Sequence, residues 1–220
     1  MSTAATVSTN PVLLSFDVGV RNLAVCKVEM GRKVEMGREE KRYTIHHWAV
    51  LDVLEALPDA SVKTLGIPLL AQHMLNTLLA HEVELLYTEP TPTAILIEQQ
   101  PGGKFVNVSM KALSHVLQSF MYLKAPSVPI HFVSARKKLK TADAHEKGTA
   151  QKKRYSSNKQ FAKEETLSLL QEQVSNSEEA LALFQSRSKK DDLADCFLQA
   201  LAFHSTLEPA PKKRRVSNKK

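Results

Sequence analysis

VLLSFDVGV, residues 12–20, is a strand-forming run with a single carboxylate, Asp17, inside it. With the two-residue period of a strand, Leu14, Phe16 and Val18 share one face, and Ser15, Asp17 and Gly19 share the other. The first face belongs to a core. The second is small and polar with an acid at its centre, the form of a floor on which a ligand rests. Gly19, lacking a Cβ, allows a ligand or another backbone to come close.

Arg21 and Asn22 turn the chain into LAVCKV, a second strand, and YTIHHWAVL makes a third. Between them KVEMGR is repeated in perfect tandem over residues 27–38. Such a duplication is tolerated at a hairpin tip in solvent, because lengthening a loop costs little. Residues 69–86 place Leu70, Met74 and Leu78 at helical spacing, so an amphipathic helix is expected to pack on the sheet. AILIEQQP is apolar on both faces up to Glu98 and reads as a central strand of the parallel kind. A second helix is expected over 107–123, whose stripe from Met110 to Met121 is either core or a contact with a second copy. VPIHFV is a fifth strand. Residues 136–160 hold little to build a core and read as a linker or mobile loop. Helical spacing resumes over 161–174, pauses at Ser-Asn-Ser, and ends in a last helix. The order β-β-β-α-β-α-β-α-α predicts an α/β fold: a mixed five-stranded sheet with helices on both faces. The predicted division is a leader at 1–11, one domain over 12–204 and a basic tail at 205–220.

The 220 residues, 43% hydrophobic, suffice for one core. No apolar run approaches the ~20 residues needed to span a bilayer, so a soluble chain with no membrane partner is expected. Cys26 and Cys196 are far apart in apolar stretches and read as buried free thiols, and no histidine shows zinc-ligand spacing. The net charge of +7 is uneven. Nine basic residues face only Asp143 and Glu146 between Arg136 and Gln160, and residues 212–220 of the tail hold six positive charges without an acid. An acidic body with two basic arms suits a polyanion such as nucleic acid.

SKKDDLADCFLQALAF, residues 188–203, puts Asp191, Asp192 and Asp195 at the mouth of a greasy helix. One acid is explained by the positive helix end. Three repel one another on a shared face by roughly 0.2–0.5 kcal/mol per pair. In a mixed sheet, Asp17 and Glu98 could converge with them, and clustered carboxylates are normally held by a cation. An oxygen-only donor set points to Mg²⁺ or Mn²⁺.

SFDVGVRNLA, IEQQP, SARKKL and KKDDLADC, in that order, resemble the signatures of Holliday junction resolvases of the poxviral and fungal mitochondrial kind, RuvC-type nucleases of the ribonuclease H-like superfamily. The resemblance spans roughly residues 12–204. It implies a ribonuclease H-like fold and a homodimeric endonuclease that cuts four-way junction DNA. It also implies catalytic and metal-binding acids at Asp17, Glu98, Asp192 and Asp195, with Asp191 competing with Asp192, and two Mg²⁺ ions per site for which Mn²⁺ can substitute. Relatives of the fungal kind often begin with a small helical DNA-binding module that this sequence does not show. The basic stretch from Arg136 to Lys159, with Lys137, Lys138 and Lys140, is then the candidate for gripping the junction arms. Arg21 could steer a phosphate and Gln99 and Gln100 could touch nucleic acid, or all three serve the fold.

Two other readings keep this chemistry class: a nuclease for other branched or RNA-containing substrates, and a junction-binding protein without catalysis. An actin-like ATPase shares the first-strand Asp-x-Gly but requires a second such half. PKKRRV in the tail resembles a nuclear import signal and makes the nucleus the expected compartment, with the mitochondrion, to which some relatives point, as the alternative.

Overall fold

The computed structural model describes residues 10–35, 37–60, 62–102, 107–134 and 151–207. Residues 1–9 of the leader, 136–150 of the basic stretch and 208–220 of the tail therefore lie outside the described residues. Five strands form one sheet: β1 (Val12–Asp17), β2 (Leu23–Glu35), β3 (Arg38–Leu51), β4 (Ala94–Gln99) and β5 (Ile130–Ser134), in the spatial order β3-β2-β1-β4-β5. β1, β2 and β3 meander antiparallel, while β4 and β5 run parallel to β1. β4 is thus an interior parallel strand, as its two apolar faces predicted.

Alternation sorts the side chains of β1 between two cores. Leu14 and Phe16 enter one with α1 (Ile67–Ala80) and α2 (Val108–Lys124), including Leu70, Met74, Leu78, Leu113, Leu117 and Met121. Leu13 enters the other with Trp48, Phe184, Leu193, Cys196 and Phe197, beneath α3 (Gln151–Glu172), α4 (Ser177–Ser186) and α5 (Lys190–Leu207). Each layer conceals apolar surface at roughly 25 cal/mol per Å². Asn107 caps α2, its side chain accepting from the Met110 amide. No described helix is long and apolar enough to cross a membrane.

Several expectations are corrected. The duplicated hexapeptide does reach a hairpin tip, but as paired strand rather than loop: it continues β2 to a turn at Gly37, where φ is +76°. Its first copy is inside the fold, with Lys27 and Val28 buried, while Val34 of the second is 67% exposed. Lys27 Nζ donates to the carbonyls of Glu84 and Thr88, at either end of a π-helical turn (Val83–Tyr87) that follows α1. Residues 151–160, expected in a loop, begin α3. The pause at Ser-Asn-Ser leads into an additional helix, α4. The methionine stripe of α2 belongs to the core, since Met121 is fully buried.

Candidate active site

Asp17 ends β1, on the face it shares with Ser15. Phe16 pairs with Ile97 in the parallel ladder, so the next step sets Asp17 beside Glu98 at the carboxyl ends of two adjacent strands. Alternation puts Glu98 on the same face: Ile95 and Ile97 belong to the α1–α2 core, Leu96 to the opposite one. That is the face covered by α5, so the two strand acids and the helix acids share one side and one end of the sheet.

Two bolts fix the helix there. Gln199 is buried, and its Nε2 donates to Ser15 Oγ and to the Phe16 carbonyl, both at 3.1 Å. Trp48 Nε1 donates to the Leu193 carbonyl at 3.1 Å, and the indole stacks on Phe184, 5.5 Å between centroids. Asp192, Asp195 and Gln199 follow i, i+3, i+7 spacing, so the face that Gln199 docks on β1 carries the two acids toward Asp17. The sequence reading missed Gln199. Its signal was an amide within the otherwise apolar run of residues 196–203.

Asp191 and Asp192 meet different surroundings. Asp191 accepts a short hydrogen bond from Lys159 and lies 4.0 Å from Lys163 Nζ, both on α3. Burial pushes its carboxyl up, but the Lys159 hydrogen bond and the lysine charges outweigh this and hold it below the usual carboxylate range. The Asp192 Oδ2 atom is buried without a hydrogen-bond partner. Burial, then the charges of Asp191 and Asp17, push the Asp192 carboxyl up to about 6, although Lys159 and Lys189 pull the other way. Lys189 thus offsets the neighbouring acid.

Asp17 and Asp192 are therefore close enough for each charge to act on the other. The expected four-carboxylate cluster is nevertheless not closed: among the described residues no three His, Cys, Asp or Glu side chains form a group fit to hold a metal ion. A cation is still fitted by what is present. The donors are all oxygens, and Asp192 Oδ2 is a buried acceptor lacking a partner.

The remaining candidates separate. The Arg21 guanidinium is directed at Asp52 and at the carbonyls of Leu54, Leu57, Pro58 and Ala60, closing the loop after β3. Its role is the structural one of the two considered. Gly19 serves its own turn: a Cβ there would stand 2.6 Å from the Asn22 carbonyl, so the close approach is that of another backbone. Gln99 is exposed and Gln100 half-buried beside Glu98. Arg136, Lys137, Lys138 and Lys140 lie outside the described residues.

Residues 13–101 match the family described as mitochondrial resolvase Ydc2 / RNA splicing MRS1. Among solved structures, the chain resembles the yeast mitochondrial Holliday junction resolvase Ydc2 with a TM-score of 0.53 and 21% identity, over 87% of this chain and 76% of that one. The fold is accordingly ribonuclease H-like. Thermus thermophilus RuvC is similar more loosely, with a TM-score of 0.46 and 12% identity over 89% of this chain and 96% of that one. No curated protein matches the chain.

Proposed function

From the premise that residues 13–101 carry the catalytic-domain pattern of the Ydc2 resolvase family, on the fold of the yeast enzyme, we propose that this chain is a structure-selective endonuclease that resolves four-way DNA junctions by hydrolysis. One observation carries the reading: Asp192, at the mouth of α5, is within electrostatic reach of Asp17 on β1 and holds a buried oxygen without a partner.

Asp17, Glu98, Asp192 and Asp195 would hold the divalent cations, two Mg²⁺ per site with Mn²⁺ able to replace it. When bound, such ions would supply Lewis-acid chemistry, lowering the pKa of an attacking water and stabilising charge on the departing 3′ oxygen, with 5′-phosphate nicks as the expected product. The protein's own part is positional. Gln199 and Trp48 hold the α5 mouth against the sheet, so that Asp192 and, one turn on, Asp195 would be offered to the cations on the side of Asp17. The charges of Lys159 and Lys189 ease the crowding of acids at Asp192. Gln99 and Gln100, which follow Glu98 at the end of β4, would touch the nucleic-acid backbone. Arg136, Lys137, Lys138 and Lys140 would bind phosphates of the junction arms with release of counterions.

A four-way junction is nearly two-fold symmetric and suits a C2 dimer with one site on each of two opposed strands. With the α2 methionine stripe in the core, the exposed end of the same helix is the better contact. Tyr122 and Leu123, 63% and 76% exposed, line an open groove of about 720 Å³ with Pro126, Val128 and Pro129. The matched descriptions carry the word mitochondrial, which supports that compartment over the nuclear one suggested by PKKRRV in the tail.

The test is cleavage of a labelled four-way junction, a duplex and an RNA–DNA hybrid with Mg²⁺, by wild type and Asp17→Asn. Paired symmetric incision of the junction alone, lost in the variant while binding persists, is expected. Because the family description also includes an RNA splicing protein, cutting of the hybrid would favour an RNA-containing substrate. Binding of the junction without cutting would leave a protein that recognises junctions and does not cleave them.

A further inference from the structure

The resolvase reading leaves one acid of the α5 mouth without a task. Asp191 is the most buried of the three, at 9% exposure, and it faces α3. Lys159 and Lys163 are four residues apart on α3, so their ammonium groups stand one above the other on one helical face. Both converge on the two oxygens of Asp191, Lys159 on Oδ2 and Lys163 on Oδ1. The pair joins elements far apart in sequence, α3 and α5, at the residue adjoining Asp192. Lys159 and Lys163 remain 38% and 34% exposed, enough to be reached from solvent.

We propose that Asp191 is a positioning residue rather than a metal ligand: clamped to α3 by Lys159 and Lys163, it fixes the first turn of α5 and thereby aims the Asp192 carboxylate at the cation site. The inference rests on the resolvase reading. It also answers which of the two adjacent aspartates serves the metal. A carboxylate engaged by two ammonium groups is a poor donor to a cation, whereas its neighbour holds an oxygen with no hydrogen-bond partner. Residues that orient metal ligands without touching the metal typically alter its affinity by 10–100-fold when replaced.

The experiment titrates the full chain with Mn²⁺ by calorimetry, in the absence of DNA, and repeats junction cleavage across a range of Mg²⁺ concentrations. Asp191→Asn is expected to weaken Mn²⁺ binding by about 10-fold or more and to recover cleavage at high Mg²⁺. Asp192→Asn is expected to stay inactive at any Mg²⁺ concentration. The exchange Asp191→Lys with Lys159→Asp is expected to restore much of the lost affinity, a rescue that a ligand role for Asp191 forbids. Loss of Mn²⁺ binding in Asp191→Asn that neither high metal nor the exchange repairs, with circular dichroism showing a folded variant, overturns the proposal. Affinity unchanged in Asp191→Asn overturns it equally. A wild type that binds no Mn²⁺ and cuts no junction instead brings down the reading beneath it.

Discussion

Asp191 and Asp192 are adjacent and chemically identical, yet one is held as an anion by lysines while the other is made reluctant to ionise. Helical geometry turns successive side chains by about 100°, so neighbours in sequence meet different elements. The Asp192 carboxyl titrates at about 6 against an ordinary value of 3.8. The folded chain thus binds this proton more tightly than the unfolded one. The resulting stability is present in full below the ordinary value and is lost as pH rises through about 6. In metal-free protein, Asp192→Asn is expected to raise stability at pH 7 by about 1 kcal/mol, discounted for solvent screening, and to gain little at pH 4. Denaturant titration of both proteins at the two pH values measures this. His47, whose pKa burial lowers, gives the opposite slope but is common to both proteins. Asp191, held low by the lysines, contributes stability that is lost only as pH falls below its ordinary range. Added Mg²⁺ is expected to raise the melting temperature of wild type and not of the variant. The presence of three acids here was legible from sequence; their division of labour was not, because it depends on where α3 packs.

Among elements, the repeated KVEMGR makes the same point with identical sequence. In the first copy Lys27 is buried beneath the π-helical turn, while Lys33 of the second copy is exposed. Nothing within the hexapeptide distinguishes the two. Distance along the hairpin from the helical layers does. Replacing residues 33–40 by Asn-Gly keeps the Arg32–Lys41 register and supplies a favoured two-residue turn. The exposed Arg32–Glu39 pair lost with them is worth little. This shortened hairpin is expected to match wild type within about 0.5 kcal/mol and to retain its activity, as denaturant unfolding and the junction assay will show. A large loss of stability would mean that the distal hairpin supports the fold. Strand spacing and the α1 and α2 stripes were readable from period and composition. The start of α3 was not, because ten polar and basic residues carry no apolar stripe, and α4 was hidden by its shortness.

At the scale of the whole molecule, the sheet divides two cores and exposes a different surface at each. One side carries the acids between β1, β4 and α5. On the other layer, the end of α2 leaves Tyr122 and Leu123 open to solvent. If these form the contact between two copies, Leu123→Glu is expected to give monomers in sedimentation. It should also convert paired incision into single nicks, leaving the melting temperature little changed because the side chain is exposed. Dimers that persist in the variant would place the contact elsewhere. The sequence by itself determined the alternation of β1, the interior place of β4, the order of the sheet's elements and the acids at two strand ends and one helix mouth. These follow from local periodicity and from the cost of burying charge. The tertiary structure alone decided that Gln199 bolts α5 to β1, that Arg21 closes a loop, that the α2 stripe is core and that Asp191 pairs with lysines. Each of those depends on contacts between residues far apart in the chain, which packing creates and no local pattern records.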